Sequence, residues 1–157
     1  NGFAIGFQPC RPKSRGEVTL ASKNAFASPC IDPNFLSDES DMHDVIEGIK
    51  CIESFVTSKS LSDIIVKEKS LNFHTVGLEE KINDFKRRAV SIYHLCGTCR
   101  MGKDPNEAPV ANDFKLRGFE NLWIADSSLF PNVTSGNINS PTMMLAYKAA
   151  NAIIQKM

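Results

Sequence analysis

The chain has 157 residues, 18 basic and 18 acidic, so its formal net charge is zero; 42% of it is hydrophobic and 23% charged. That is the composition of a globular domain long enough to bury a real core. The charge balance gives no electrostatic ground for a nucleic-acid partner or a membrane-surface partner, and no apolar run is long enough to span a bilayer.

Residues 3–8 and 16–20 read as strands. Between them Pro9 and Pro12 bracket a turn, because proline cannot donate to a sheet ladder. Residues 21–36, with Pro29 and Pro33 among small polar side chains, read as irregular connection. A helix follows with Ser37 as its cap and Asp38, Glu39 and Asp41 at the end that favours anions. Met42, Val45, Ile46, Ile49, Ile52 and Val56 form its apolar stripe. After a break at 58–62 and a short segment at 61–67, a second helix is expected over 78–92, with Leu78, Ile82, Phe85, Ala89 and Ile92 on one face. Residues 121–125 read as a buried strand ending at Asp126. Residues 131–141 read as a loop that delivers a last helix at Ser140-Pro141, with Ser as cap and Pro in the first turn. Leu145, Ala149, Ala152 and Ile153 face inward on this helix, which runs to about Lys156. These elements mix helix and strand.

Three places can carry chemistry. His94 stands where a helix gives way to the Gly-containing loop at 95–102, and histidine is the side chain suited to moving a proton near neutral pH. A histidine at a helix end is also a common structural hydrogen-bonder. Cys96-x-x-Cys99 lies beside it, but no second ligand pair follows, so two small side chains packed in a tight loop is the favoured reading and no metal is expected. The third place is Asp126 at a strand end, followed by Asn137-Ile138-Asn139 before the last helix. An acid there can accept from a ligand hydroxyl, and the helix start favours an anion. An acidic turn before an ordinary helix would look the same. The five cysteines, at 10, 30, 51, 96 and 99, are odd in number and irregularly spaced, which favours a reducing compartment over a disulfide framework. The sequon Asn132-Val133-Thr134 carries little weight, since such triplets arise often by chance. The start, Asn1-Gly2-Phe3, has neither an initiator Met nor a basic segment and reads as a piece of a longer chain rather than a signal peptide.

In order and spacing these pieces resemble the glucose-methanol-choline oxidoreductase family. His94 with Gly97-Thr98-Cys99-Arg100-Met101-Gly102 is similar to the family's segment around its histidine. Asn121-Leu122-Trp123-Ile124-Ala125-Asp126-Ser127-Ser128 resembles the strand leading to its flavin contacts, and Ser135-Gly136-Asn137-Ile138-Asn139-Ser140-Pro141-Thr142-Met143-Met144 its closing signature. Arg11-Pro12-Lys13-Ser14-Arg15-Gly16 and Ile31-Asp32-Pro33-Asn34-Phe35-Leu36-Ser37 resemble segments of its substrate-binding region. The resemblance implies FAD-dependent oxidation of a small-molecule alcohol to a carbonyl, by hydride transfer to flavin N5. It implies His94 as base, Asn137 as its partner in the manner of the choline and cholesterol branches, and flavin contacts at Ala125, Asp126, Ile138 and Asn139. It also implies an α+β fold, an antiparallel sheet with packed helices, in which 1–92 is the substrate-binding region, while 93–157 carries the histidine loop and a strand and helix that complete an FAD-binding domain. The chain contains no Gly-x-Gly-x-x-Gly turn, so the part that holds the FAD diphosphate is expected elsewhere, as an amino-terminal partner portion. Leu95 stands where many relatives carry Pro. The rival readings are a non-catalytic relative used for binding or structure, and a Cys/His metal protein.

Overall fold

The computed structural model describes residues 2–69 and 71–155. Its elements are β1 (Glu17–Thr19), β2 (Cys30–Asp32), α1 (Glu39–Val56), α2 (Lys59–Ser62), α3 (Leu78–Arg88) and α4 (Asn139–Ile154), with a 3-10 turn at Ser127–Leu129. The fold is α+β, with one two-stranded antiparallel sheet among the described residues. The chain forms two compact units. The first is Asn1–Pro9 with Leu36–Ser91, and the second is Cys10–Phe35 with Ile92–Met157.

In the first unit, α1 is capped one residue later than expected. Asp38, not Ser37, accepts from the Ser40 amide at 2.9 Å and from the Ser40 hydroxyl at 2.5 Å. A carboxylate satisfies the orphan amide and adds negative charge at the positive helix end, so it outcompetes a neighbouring hydroxyl. Val45, Ile49 and Val56 of the expected stripe are buried, while Met42, Ile46 and Ile52 flank it half-covered. Residues 3–8 form no strand; they have no ladder partner among the described residues. Instead Phe7 stacks on Phe85, ring centres 5.1 Å apart. Phe7 also lies against Gly48 of α1, where an added Cβ would come within 2.2 Å of the ring.

Helix α3 stops at Arg88, short of the expected Ile92, with Ala89 already extended. Its buried positions are Lys81 and Asp84 rather than Leu78 and Ala89. Charge can be buried there because each group is paired: Lys81 Nζ lies 2.8 Å from Glu53 of α1, and Asp84 binds Arg87 and Arg88. Helix α2 is a single turn that ends at Ser62, earlier than the segment expected at 61–67.

In the second unit, the expected strand at 16–20 exists as β1, and its partner β2 lies inside the stretch expected to be irregular. Val18 pairs with Ile31, Glu17 with Asp32 and Thr19 with Cys30. Three residues between Pro29 and Pro33 are too few to show a period of two. The hydrophobic core is Val110, Phe114, Leu129, Leu145 and Ala149, flanked by Cys99, Met101, Trp123, Ile124 and Ala152. Residues 121–125 are not a regular strand. They make a single antiparallel bridge, Trp123 to Lys115, with Ile124 N–H on the Phe114 carbonyl at 3.0 Å. Phe114 itself has φ +70°, which breaks the extended run that a longer ladder needs.

Helix α4 begins at Asn139, with Ile138 as its cap residue and no side chain closing it; Ser140 and Pro141 are already inside the first turn. Proline is tolerated there because the first-turn amides have no helical partner to lose. Leu145 and Ala149 are the buried face; Lys156, the expected carboxy end, lies outside the described residues. No helix among the described residues is long and apolar enough to cross a membrane.

Candidate active site

The site is built within the second unit by two segments that hang on one short turn. Asp126 caps that turn: its Oδ1 accepts from the Ser128 amide at 2.8 Å and from the Ser128 hydroxyl at 2.5 Å. This is the local bonding expected of an aspartate at a turn start. The Ser128 carbonyl accepts from the amides of Gly97 and Cys99, both at 3.1 Å, and the Leu129 carbonyl accepts from Met101 at 2.9 Å. The Ser127 hydroxyl donates to the Leu95 carbonyl at 3.3 Å. Residues 95–101 are thus laid along 127–129.

His94 sits between two left-handed residues, Tyr93 at φ +63° and Gly97 at φ +92°. For a bulky L-residue that conformation costs on the order of 1–2 kcal/mol and persists only where neighbouring bonds impose it. The second segment, 131–138, is held by Thr134, whose hydroxyl donates to the Gly136 carbonyl at 2.7 Å. It is also held by Arg15, which donates to the Asn132 side-chain oxygen. Arg15 is itself fixed on the carbonyls of Pro12 and Ser14 at 2.8 and 3.0 Å. Both polar side chains of the sequon therefore have work within this loop.

The outcome is a contact across 43 positions of sequence: His94 Nε2 lies 3.1 Å from Asn137 Oδ1. With an amide oxygen facing it, Nε2–H is the donor; a half-turn of the amide would make Asn137 the donor and Nε2 the acceptor. The imidazole is half-buried and Asn137 exposed, so the pair is open to a ligand. Ala125, Asp126 and Asn139 are exposed too, whereas the Ile138 side chain is buried, leaving only its main chain to meet a ligand. Neither of two surface clefts, one of about 360 Å³ beside Phe119 and one of about 340 Å³ between Arg15 and Lys103, includes His94 or Asn137.

Cys96 and Cys99 are free thiols, and Cys99 packs against the core. Burial pushes the Cys96 thiol above its ordinary pKa, with the nearby Arg15 charge opposing that shift. Among the described residues no three His, Cys, Asp or Glu side chains cluster as metal ligands do. Sequence reasoning did not single out Ser127, Ser128 or Arg15. The first two carry a signal, Asp-Ser-Ser after an apolar run, which is a capping pattern. Arg15 carries none, because its partner Asn132 is 117 positions away.

Residues 12–146 match the sequence profile of the family described as GMC oxidoreductase. The chain belongs to the GMC oxidoreductase family. Among its relatives, the alcohol dehydrogenase (acceptor) of Pseudomonas putida is 38% identical over 155 residues, 99% of this chain and 28% of that protein. The oxygen-dependent choline dehydrogenase of Brucella anthropi is 35% identical over 98% of this chain and 28% of its own length. Pyridoxine 4-oxidase from Mesorbium loti superposes with a TM-score of 0.79 at 29% identity, over 90% of this chain and 28% of that one. A formate oxidase variant from Aspergillus oryzae, described in terms of FAD modification, superposes with a TM-score of 0.82 at 25% identity, over 90% of this chain and 25% of that one. This GMC oxidoreductase chain spans little more than a quarter of the length of the relatives it matches. His94, Asp126 and Asn137 all fall inside the stretch matched to the GMC family.

Proposed function

We propose that this chain is the carboxy-terminal part of an FAD-dependent enzyme that oxidises an alcohol to a carbonyl, with His94 as base and Asn137 as its partner. The observation that carries the reading is the 3.1 Å contact between these two side chains, made by segments 43 residues apart in a GMC oxidoreductase chain. Residues 1–92 would serve mainly substrate binding, and 93–157 would complete the flavin site.

The cofactor fits the residues present. Helix α4 starts without a side-chain cap, so its first amides and the positive end of its dipole are free for an electron-rich edge of a flavin. Asn139, the first residue of that helix, and Ala125 are both exposed, and Asp126 keeps Oδ2 for a ribityl hydroxyl while Oδ1 holds Ser128. Ile138 would contribute its main chain. FAD, when bound, supplies the hydride acceptor at N5.

The chain's own residues would handle the proton. Oxidation of a CH–OH group releases a hydride from carbon and a proton from oxygen. The imidazole in the tautomer protonated at Nδ1 takes that proton at Nε2. Asn137 cannot titrate; its amide N–H donates to the same oxygen and keeps it in line with the imidazole. The relatives named for alcohol and choline dehydrogenation support a small alcohol as substrate.

The test uses the full-length, flavin-loaded protein, a panel of small alcohols including choline, and the rate of flavin reduction in a single turnover. General acid–base assistance is worth about 10²–10⁴-fold, so His94→Ala should lose that much while keeping its FAD. Asn137→Ala should lose less, because a hydrogen bond goes but no proton acceptor. Reduction of His94→Ala at the wild-type rate would remove His94 from the chemistry.

A further inference from the structure

The contacts that hold the segment after His94 come from the Ser127–Leu129 turn, of which the catalytic reading uses only the capping residue Asp126. Asp126 fixes Ser128 through two hydrogen bonds, the Ser128 carbonyl takes the amides of Gly97 and Cys99, and the Ser127 hydroxyl reaches the Leu95 carbonyl at 3.3 Å. Leu95 is the residue directly after His94. The bond is made to main chain by a side chain with no hydrogen bond to either member of the His94–Asn137 pair, so it acts on the chemistry through placement. A second, independent observation is the left-handed backbone at Tyr93, directly before His94. A bulky residue does not hold that conformation unaided, so the histidine is turned by a strained peptide on one side and tethered on the other.

We propose that Ser127, on the turn capped by Asp126, is a positioning residue for the reaction: its hydroxyl fixes the peptide after His94 and so sets the imidazole at Asn137. This rests on the catalytic reading of His94. Without the tether the 93–96 segment gains freedom to relax the Tyr93 backbone. The imidazole then spends part of its time turned away from the position in which Nε2 can meet a substrate hydroxyl. Misplacement of this kind slows proton transfer without weakening cofactor binding.

The experiment uses the full-length, flavin-loaded protein and single-turnover flavin reduction with its best alcohol. Ser127→Ala is expected to reduce flavin about fivefold more slowly at saturating alcohol, the factor for one net hydrogen bond, with FAD content and half-saturating alcohol concentration unchanged. Ser127→Thr, which keeps the hydroxyl, should recover most of the rate. His94→Ala combined with Ser127→Ala should be no slower than His94→Ala alone, since Ser127 acts through the histidine. A wild-type rate in Ser127→Ala, no recovery in Ser127→Thr, or multiplied losses in the double variant would each overturn the positioning role. The two readings fail differently. If His94→Ala is slow and Ser127→Ala is normal, only the positioning role falls. If His94→Ala itself reduces at the wild-type rate, the catalytic reading falls and takes the positioning role with it.

Discussion

Lys81 of α3 places its ammonium 2.8 Å from the Glu53 carboxylate of α1, with 5% of the lysine side chain exposed against 43% of the glutamate. The pair is asymmetric: one charge is inside and the other is at the edge of water. The Phe73 ring, 5.4 Å from Nζ, adds a second attraction for the cation.

Glu53→Gln therefore leaves a buried ammonium facing a neutral amide, and should cost about 1–3 kcal/mol, at the lower side for a fully buried pair because Glu53 is partly solvated. Lys81→Met keeps the length and apolar stem and leaves the glutamate to water, so its cost should stay within about 1 kcal/mol. Denaturant midpoints of the two variants check the order. A larger shift for Lys81→Met than for Glu53→Gln contradicts it.

Gly97→Ala puts a side chain on a residue at φ +92°, where the added Cβ would also stand 3.4 Å from the Phe130 carbonyl. The space is adequate and the backbone is not. The expected cost is about 1–2 kcal/mol of stability, together with slower flavin reduction as the His94 loop shifts to relieve it. Thermal unfolding and single-turnover rates read the two effects separately. A stabilised variant would show that the loop does not need the left-handed conformation.

Burial holds the Cys96 thiol above its ordinary pKa, and the Arg15 charge partly offsets this. At a given pH a raised pKa means less thiolate and slower alkylation. Removing Arg15 removes the offset, so Arg15→Ala should slow iodoacetamide labelling of Cys96 further, by a factor that narrows as pH rises through the thiol's pKa. Peptide-resolved labelling at several pH values measures it. Faster labelling in Arg15→Ala would mean that the substitution opens the loop instead.

Cys96 and Cys99 are read as packing residues. Cys96→Ser with Cys99→Ser should keep turnover within about tenfold of wild type, a barrier change of ~1.4 kcal/mol, and the wild-type protein should carry no stoichiometric zinc by metal analysis. Stoichiometric zinc would revive the metal reading.

Long periodic elements were legible in the sequence. The stripe Val45, Ile49, Val56 places α1, and Leu145 with Ala149 places α4, because burial of one helical face leaves a repeat that survives in the residue order. Caps were legible only to within a residue or two, since Asp38 and Ser37 can both cap α1 and geometry decides. The buried face of α3 was not legible, because Lys81 and Asp84 are charged and only their partners make burial tolerable. β2 was too short to announce itself. At the site, His94 stands out by residue type and by resemblance, and Asn137 by resemblance. The bonds that fix them could not be read the same way, since a main-chain carbonyl such as that of Ser128 is present at every residue and only folding selects which one is used.

The second compact unit is discontinuous, made of Cys10–Phe35 and Ile92–Met157 with the bulk of the first unit between them. This sets an order of events during synthesis. Chains emerge amino end first, and a unit can close only when all of its pieces are outside the ribosome. Residues 36–91 can assemble α1, α2 and α3 with their own amino-terminal strap while 10–35 still lack their companions. Those companions arrive after residues 36–91, so Arg15 must wait for Asn132, and the pairing of His94 with Asn137 forms later than the helices α1, α2 and α3 can. A nascent chain stalled before residue 130 would hold α1, α2 and α3 and no assembled His94–Asn137 pair.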